Sequence, residues 1–250
     1  MIQVNDVGVY GKLPAHGDFI HRDLPSAFIN KWDEWLQSYI ANSQQDLGEH
    51  WLDIYLTSPI WRFATTDGIF DGNYWAGIIV PSVDRVGRYF PFCIATKITK
   101  PTTPLNIIQN NQWFDDMEQL AMSALGGQLK IEQLIDEINN VKISCTPNPF
   151  SLIKNDHTAL ALAMSDSLMN PAKAIPVLFD AMLRNQFNTY SLWSTARGSN
   201  LVSPLLAICQ GLPSARHSTA LLDGNWDESG WSLLSPPSLV NHSAEASLSV

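Results

Sequence analysis

Residues 60–98 read IWRFATTDGIFDGNYWAGIIVPSVDRVGRYFPFCIATKI, and the alternation of apolar runs with turn chemistry in this stretch decides the fold. Ile60–Thr65 and Tyr74–Val80 are rich in aromatic and β-branched residues, and Asp67-Gly68 and Asp71-Gly72 lie between them, so the two runs predict a hairpin. Pro81–Arg88 is polar and turn-rich. Tyr89–Ile98 is again aromatic and β-branched and predicts a third strand returning beside the second.

On the N-terminal side, Val7–Leu13 predicts a short strand ended by Pro14, and His16-Gly17-Asp18 breaks regular structure. Pro25 and Ser26 can open a long helix, in which Phe28, Ile29, Trp32, Trp35, Leu36, Tyr39 and Ile40 recur at three- and four-residue steps. Such a broad apolar face needs a sheet beneath it. A shorter helix is expected around Trp51–Leu56. On the C-terminal side Pro101 and Pro104 mark a candidate seam at 100–110. Beyond it, Trp113, Phe114, Met117, Leu120, Ala121 and Ala124 keep helical spacing up to Gly126-Gly127, and Ile131, Leu134, Ile135 and Ile138 repeat the pattern. Further helices are expected at Thr158–Met169 and Ala172–Arg184, a strand at Tyr190–Ser194, a short helix at Pro204–Cys209 and a candidate short strand at Thr219–Leu222. The whole predicts an α/β fold in three layers, a mixed or largely antiparallel sheet flanked by helices. One domain is expected over 1–232, sheet-rich before the seam and helix-rich after it, with a mobile Ser/Pro-containing tail at 233–250.

Of 250 residues, 45% are hydrophobic and only 16% charged, which places the chain far from disorder. A net charge of −9 argues against a phosphate-tracking surface, and so against nucleic acid and anionic membranes. Cys93, Cys145 and Cys209 are widely spaced and form no C-x-x-C pair, as expected of free thiols in a reducing compartment. The N-terminus carries no basic segment followed by an apolar one, and no run approaches the ~18 apolar residues of a membrane span. A cytoplasmic location is expected.

Several residues could carry chemistry. Gly8, Gly11 and Lys12 superficially resemble a phosphate loop, but the glycine spacing is too short and no Ser or Thr follows the lysine. His16, Asp18, His21 and Asp23 offer metal-capable atoms without the spacing of a compact site, and Asp23 as a helix cap or Asp18 as a turn residue is the simpler reading. Ser82 lies outside any G-x-S-x-G elbow. Cys93 and the tryptophans of the long helix read as core. Asp84, Arg85 and Arg88 share one loop between two aromatic strands, and they fit a solvated hairpin tip, a fold-pinning ion pair or a fork that recognises a partner.

Three segments resemble the TagF (ImpM) proteins of type VI secretion loci. They are GVYGKLPAHGDFIHRDLPSAFINKWDEWL at 8–36, the stretch from Trp51 to Phe92 holding SPIWRF at 58–63 and WAGIIVPSVDRVGRYFPF at 75–92, and more weakly SLWSTARGSN at 191–200 with GLP at 211–213. The resemblance implies a three-layer α/β domain and a non-enzymatic, cytoplasmic, post-translational repressor of type VI secretion that acts with the system's forkhead-associated scaffold protein. Lys12, His16, Asp18, Asp84, Arg85 and Arg88 are the candidate partner-binding residues, and no catalytic residue, metal or cofactor is expected. The alternative is a hydrolase or phosphoryl-handling enzyme using the 16–23 and 84–88 loops as a shared cleft.

Overall fold

A computed structural model describes residues 7–145, 150–154, 159–163 and 171–231. The elements run β1 (Val7–Gly11), β2 (Ile20–Arg22), α1 (Ser26–Leu47), α2 (Trp51–Thr57), β3 (Trp61–Thr65), β4 (Tyr74–Val80), β5 (Phe92–Ile98), α3 (Pro104–Ile108), α4 (Asn111–Leu125), α5 (Ile131–Asn140), β6 (Ser151–Lys154), β7 (Leu160–Ala163), α6 (Ile175–Phe187), β8 (Tyr190–Thr195), β9 (Leu205–Gln210) and α7 (Ala220–Asp223). Seven strands form one sheet in the order β2-β1-β5-β4-β3-β8-β9, and every pairing in it is antiparallel. The expected mixed or largely antiparallel sheet is thus resolved to the antiparallel form. β6 and β7 make a separate two-stranded ribbon.

Both faces of the sheet are covered, which explains why its central strands read as continuous apolar runs. Along β4, Trp75 and Ile79 point to the layer containing α1, α2 and α7, whereas Ala76, Ile78 and Val80 point to the layer of α3, α4 and α5. Period-two alternation therefore feeds two cores. On the first face Phe28 lies 4.4 Å from Trp75, Trp32 lies 4.8 Å from Phe63, and Trp35 lies 5.3 Å from Trp193, measured between ring centroids. The tryptophans of α1 are core, as their spacing requires. The indole of Trp35 donates to the Pro213 carbonyl at 2.7 Å and that of Trp61 to the Leu221 carbonyl at 2.9 Å, so the chain after β9 is tied to the same layer.

Four sequence expectations need correction. Pro204–Cys209 is not a helix: Leu205–Gln210 is a strand, because pairing with β8 overrides the ambiguous pattern of a short apolar run. Thr219–Leu222 is not a strand but the body of α7, and the Asp223-Gly224 turn signal is its stop, with Gly224 in the left-handed region at φ 71°. Within Thr158–Met169 the described residues 160–163 are strand β7, and the rest of that expected helix lies outside the described residues. Asp23 does not cap α1: the capping position is Pro25 without a side-chain bond, and Asp23 itself sits at φ 58°. The expected tail at 233–250 lies outside the described residues. Among the described residues, no helix is long and apolar enough to cross a membrane.

Gly77 faces Phe63 across the β3–β4 ladder. A Cβ at this position would stand 2.4 Å from the Ile94 carbonyl oxygen and 2.6 Å from the Phe63 ring, distances that real atoms do not tolerate. Gly77→Ala is therefore expected to lower stability by about 1–3 kcal/mol through overpacking. Urea denaturation checks this, and a wild-type midpoint would show that the Phe63 ring yields at no cost.

Candidate functional site

The loop between β4 and β5 closes on itself at Asp84. The Asp84 carbonyl accepts from the Gly87 amide at 3.1 Å and the Asp84 amide donates to the Arg88 carbonyl at 3.0 Å. Gly87, at φ 85°, supplies the left-handed residue that this turn requires. Asp84 Oδ1 accepts from the backbone amides of Val86 at 3.0 Å and Arg88 at 2.9 Å. An Asp with a Gly three residues on is the sequence signature of such a turn.

The second oxygen of the same carboxylate reaches across the sheet end. Asp84 Oδ2 lies 3.1 Å from Lys12 Nζ and 2.6 Å from Arg88 Nε, and the Asp84 side chain has no exposed surface. Desolvation alone would raise its pKa. The Arg88 amide, the Lys12 ammonium, the Arg88 guanidinium and the Val86 amide together outweigh that penalty and hold the carboxyl well below the usual carboxylate range. Lys12 is itself buried, with its ammonium 4.9 Å from the centre of the Phe19 ring.

Around this ion pair the loop is fastened by further hydrogen bonds. The Arg85 amide donates to the His16 carbonyl at 2.9 Å, and Arg88 Nη2 donates to the Gly17 carbonyl. Ser82 Oγ donates to the Lys12 carbonyl at 2.6 Å. The buried Tyr55 hydroxyl donates to the Ser82 carbonyl and accepts from the Ser82 amide, both at 3.0 Å. Phe19 packs edge-on against Phe90 at 4.8 Å, so the 12–19 segment and the 81–91 loop form one surface.

The predicted residues divide accordingly. Lys12 and Asp84 lie inside, His16 is half-buried, and Asp18, Arg85 and Arg88 are exposed. The Arg85 guanidinium lies over Gly17, and among the described residues its side chain has no ion pair or hydrogen bond. The next residue, Val86, is an exposed apolar side chain, 65% accessible, and on the 12–19 segment Phe19 is another, 49% accessible. Sequence reasoning missed both residues and the Tyr55 clamp. An aliphatic residue in a polar turn was the available signal for Val86; nothing local marked the other two. His16 and Asp18 line a hollow of about 160 Å³ with Phe19 and Arg22, and Asp84 and Arg85 stand outside that lining. A separate cleft of about 410 Å³ lies between α2, α4 and the turn after β8, with Leu56, Ile60, Met122, Leu125 and Arg197 in its wall. Cys93 is fully buried, and burial pushes its thiol well above its ordinary pKa despite the opposing contact with Trp32.

The Lys12 segment, Tyr55 and the Asp84 loop fall within residues 8–141, the segment matched by the sequence model of the TagF N-terminal domain, described as type VI secretion system-associated. The chain belongs to the TagF family. The crystal structure of PA0076 from Pseudomonas aeruginosa PAO1 superposes with a TM-score of 0.77 at 33% identity, covering 92% of this chain and 98% of that one. None of the curated proteins matches the sequence. Membership of the TagF family gives the chain a type VI secretion-associated role, and the match takes in both the Lys12 segment and the Asp84 loop.

Because Asp84 has a depressed pKa when folded, the stability it contributes is fully present above the unfolded carboxylate value of about 3.9 and is lost as pH falls below it. Asp84→Asn should therefore lower the urea midpoint at neutral pH and flatten the acid limb of stability against pH. Arg85→Ala should stay within about 0.5 kcal/mol of wild type, since its side chain is exposed and unpaired. Chemical denaturation between pH 2 and 7 distinguishes the two, and equal losses at both positions would contradict the division into inner and outer charges.

Proposed function

We propose that this protein is a non-enzymatic, cytoplasmic regulator that represses type VI secretion after translation by binding the forkhead-associated scaffold protein of the system. The observation that carries the reading is the exposed Arg85 guanidinium, unpaired among the described residues and next to the exposed Val86, on a loop fastened from beneath and packed by its Phe90 against the exposed Phe19. An arginine flanked by apolar side chains is the composition of a binding hot spot, and a fixed loop loses little freedom when a partner covers it. Lys12 and Asp84 serve binding from below by fixing the loop; Arg85, Arg88, Asp18 and His16 supply the polar contacts at the surface.

The reactive groups nearby favour a binder over an enzyme. Asp84 is saturated by four donors, Ser82 Oγ is committed to a backbone carbonyl, and Cys93 has no access to solvent. A general base needs a free lone pair and a nucleophile needs access, and these groups have neither.

Titration of the purified scaffold protein by calorimetry should show Arg85→Ala weakening the complex about 30-fold, the ~2 kcal/mol of a hot spot, with the melting temperature unchanged. In the cell, overproduction should reduce sheath assembly and effector secretion, and the Arg85 variant should repress less. A deletion strain that loses secretion would overturn the repressor reading and indicate a structural component instead.

A further inference from the structure

The sheet has two outer strands, and they differ in how they meet solvent. β2 has three residues, two of them His21 and Arg22, and turns away at Asp23 with φ 58°, so charge and brevity guard that edge. β9 has six residues, LLAICQ, and no charged side chain occurs anywhere from Gly198 to Ser214. Among the described residues only β8 pairs with it.

The register shows which groups β9 leaves open. The Gly211 amide donates to the Thr189 carbonyl at 3.0 Å, one step beyond the Tyr190↔Gln210 pair. Hydrogen-bonded pairs alternate along an antiparallel ladder, so Cys209, Ala207 and Leu205 exchange bonds with β8, while Leu206, Ile208 and Gln210 aim their amides and carbonyls outward. Leu206 and Gln210 are also exposed, Leu206 to 53%.

We infer that β9 is the seam of a homodimer, in which a second copy of this chain adds its own β9 antiparallel about a two-fold axis at Ile208. The outward groups are self-complementary in that register. Ile208 exchanges both bonds with its own copy, and Leu206 lies opposite Gln210 of the second copy, twice. The intervening residues place Ala207 against Cys209 and Leu205 against Gly211. No like charges meet, and the only bulky neighbours at the axis are two apolar Ile208 side chains. The edge lies five strand spacings, roughly 24 Å, from β1, and three to four, roughly 14–19 Å, from the strands that carry the Arg85 loop, so pairing here leaves the Arg85 surface free.

Sedimentation velocity on the full chain across a concentration series tests the seam. The expected result is a species of twice the 27.8 kDa monomer that grows with concentration. Leu206→Lys with Gln210→Lys sets lysine opposite lysine at both ends and should weaken the dimer about tenfold, whereas Leu206→Lys with Gln210→Glu sets opposite charges together and should restore it to within about threefold. Both side chains are exposed, and unchanged thermal melting confirms that the monomer fold survives. A monomer at every concentration overturns the inference, as do two double variants that weaken the dimer equally. Protection of the Leu206, Ile208 and Gln210 amides from hydrogen exchange in a monomer also overturns it, and assigns the edge to another segment of the same chain.

Discussion

The Phe63 ring occupies the space that a side chain at position 77 would fill, and the aromatic layer of the protein is built on that contact. Trp32 from α1 and Trp193 from β8 both pack on Phe63, at 4.8 and 5.4 Å. One glycine in the centre of β4 therefore lets three elements distant in sequence share a single apolar stack. Pairs of this kind contribute about 0.5–1.5 kcal/mol each beyond the area they bury.

The same sheet delivers the candidate site. Pro81 follows β4 and Pro91 precedes β5, so the intervening loop leaves the sheet where neither flanking residue can extend the ladder. Its polar groups would be costly so close to the core if left unpaired. Asp84 answers this by taking two backbone amides and two cationic side chains at once, with Lys12 drawn from β1's end of the sheet. The buried carboxylate is thereby fully paired; of the loop's two exposed arginines, Arg88 is tied to Asp84 and the Gly17 carbonyl, and Arg85 is the one without an ion pair among the described residues.

Much of this was legible in the sequence, and the remainder had identifiable reasons not to be. β3, β4 and the body of β5 carry aromatic and β-branched runs, the first two separated by Asp-Gly turns and the last two by a polar loop, and α1 has an uninterrupted helical stripe; local chemistry and tertiary demand agree there. The predicted start of β5 at Tyr89 falls three residues early because Pro91 interrupts the ladder, leaving Tyr89 in an isolated bridge with Val83. LLAICQ has no period long enough to separate strand from helix, and only the β8 edge decides it. At the site, the turn at Asp84 was readable from its Asp and Gly. Its pairing with Lys12 was not, because the two residues are far apart in the chain and each also makes sense as a solvated charge.

The order of strands in the sheet also governs how the chain must come together. β1, β3, β4 and β5 lie within the first hundred residues, but β3's other neighbour, β8, begins only at Tyr190. At ribosomal speeds of ~5–20 residues per second, the β3 edge waits roughly 6–25 s after its own emergence before its partner strand exists. During that interval the nascent chain exposes Arg62-Phe63-Ala64 along an unpaired edge, with Trp193 still missing from the aromatic stack. Until β8 emerges, at most five of the seven strands are available to pair, and the β3 edge is the margin left open.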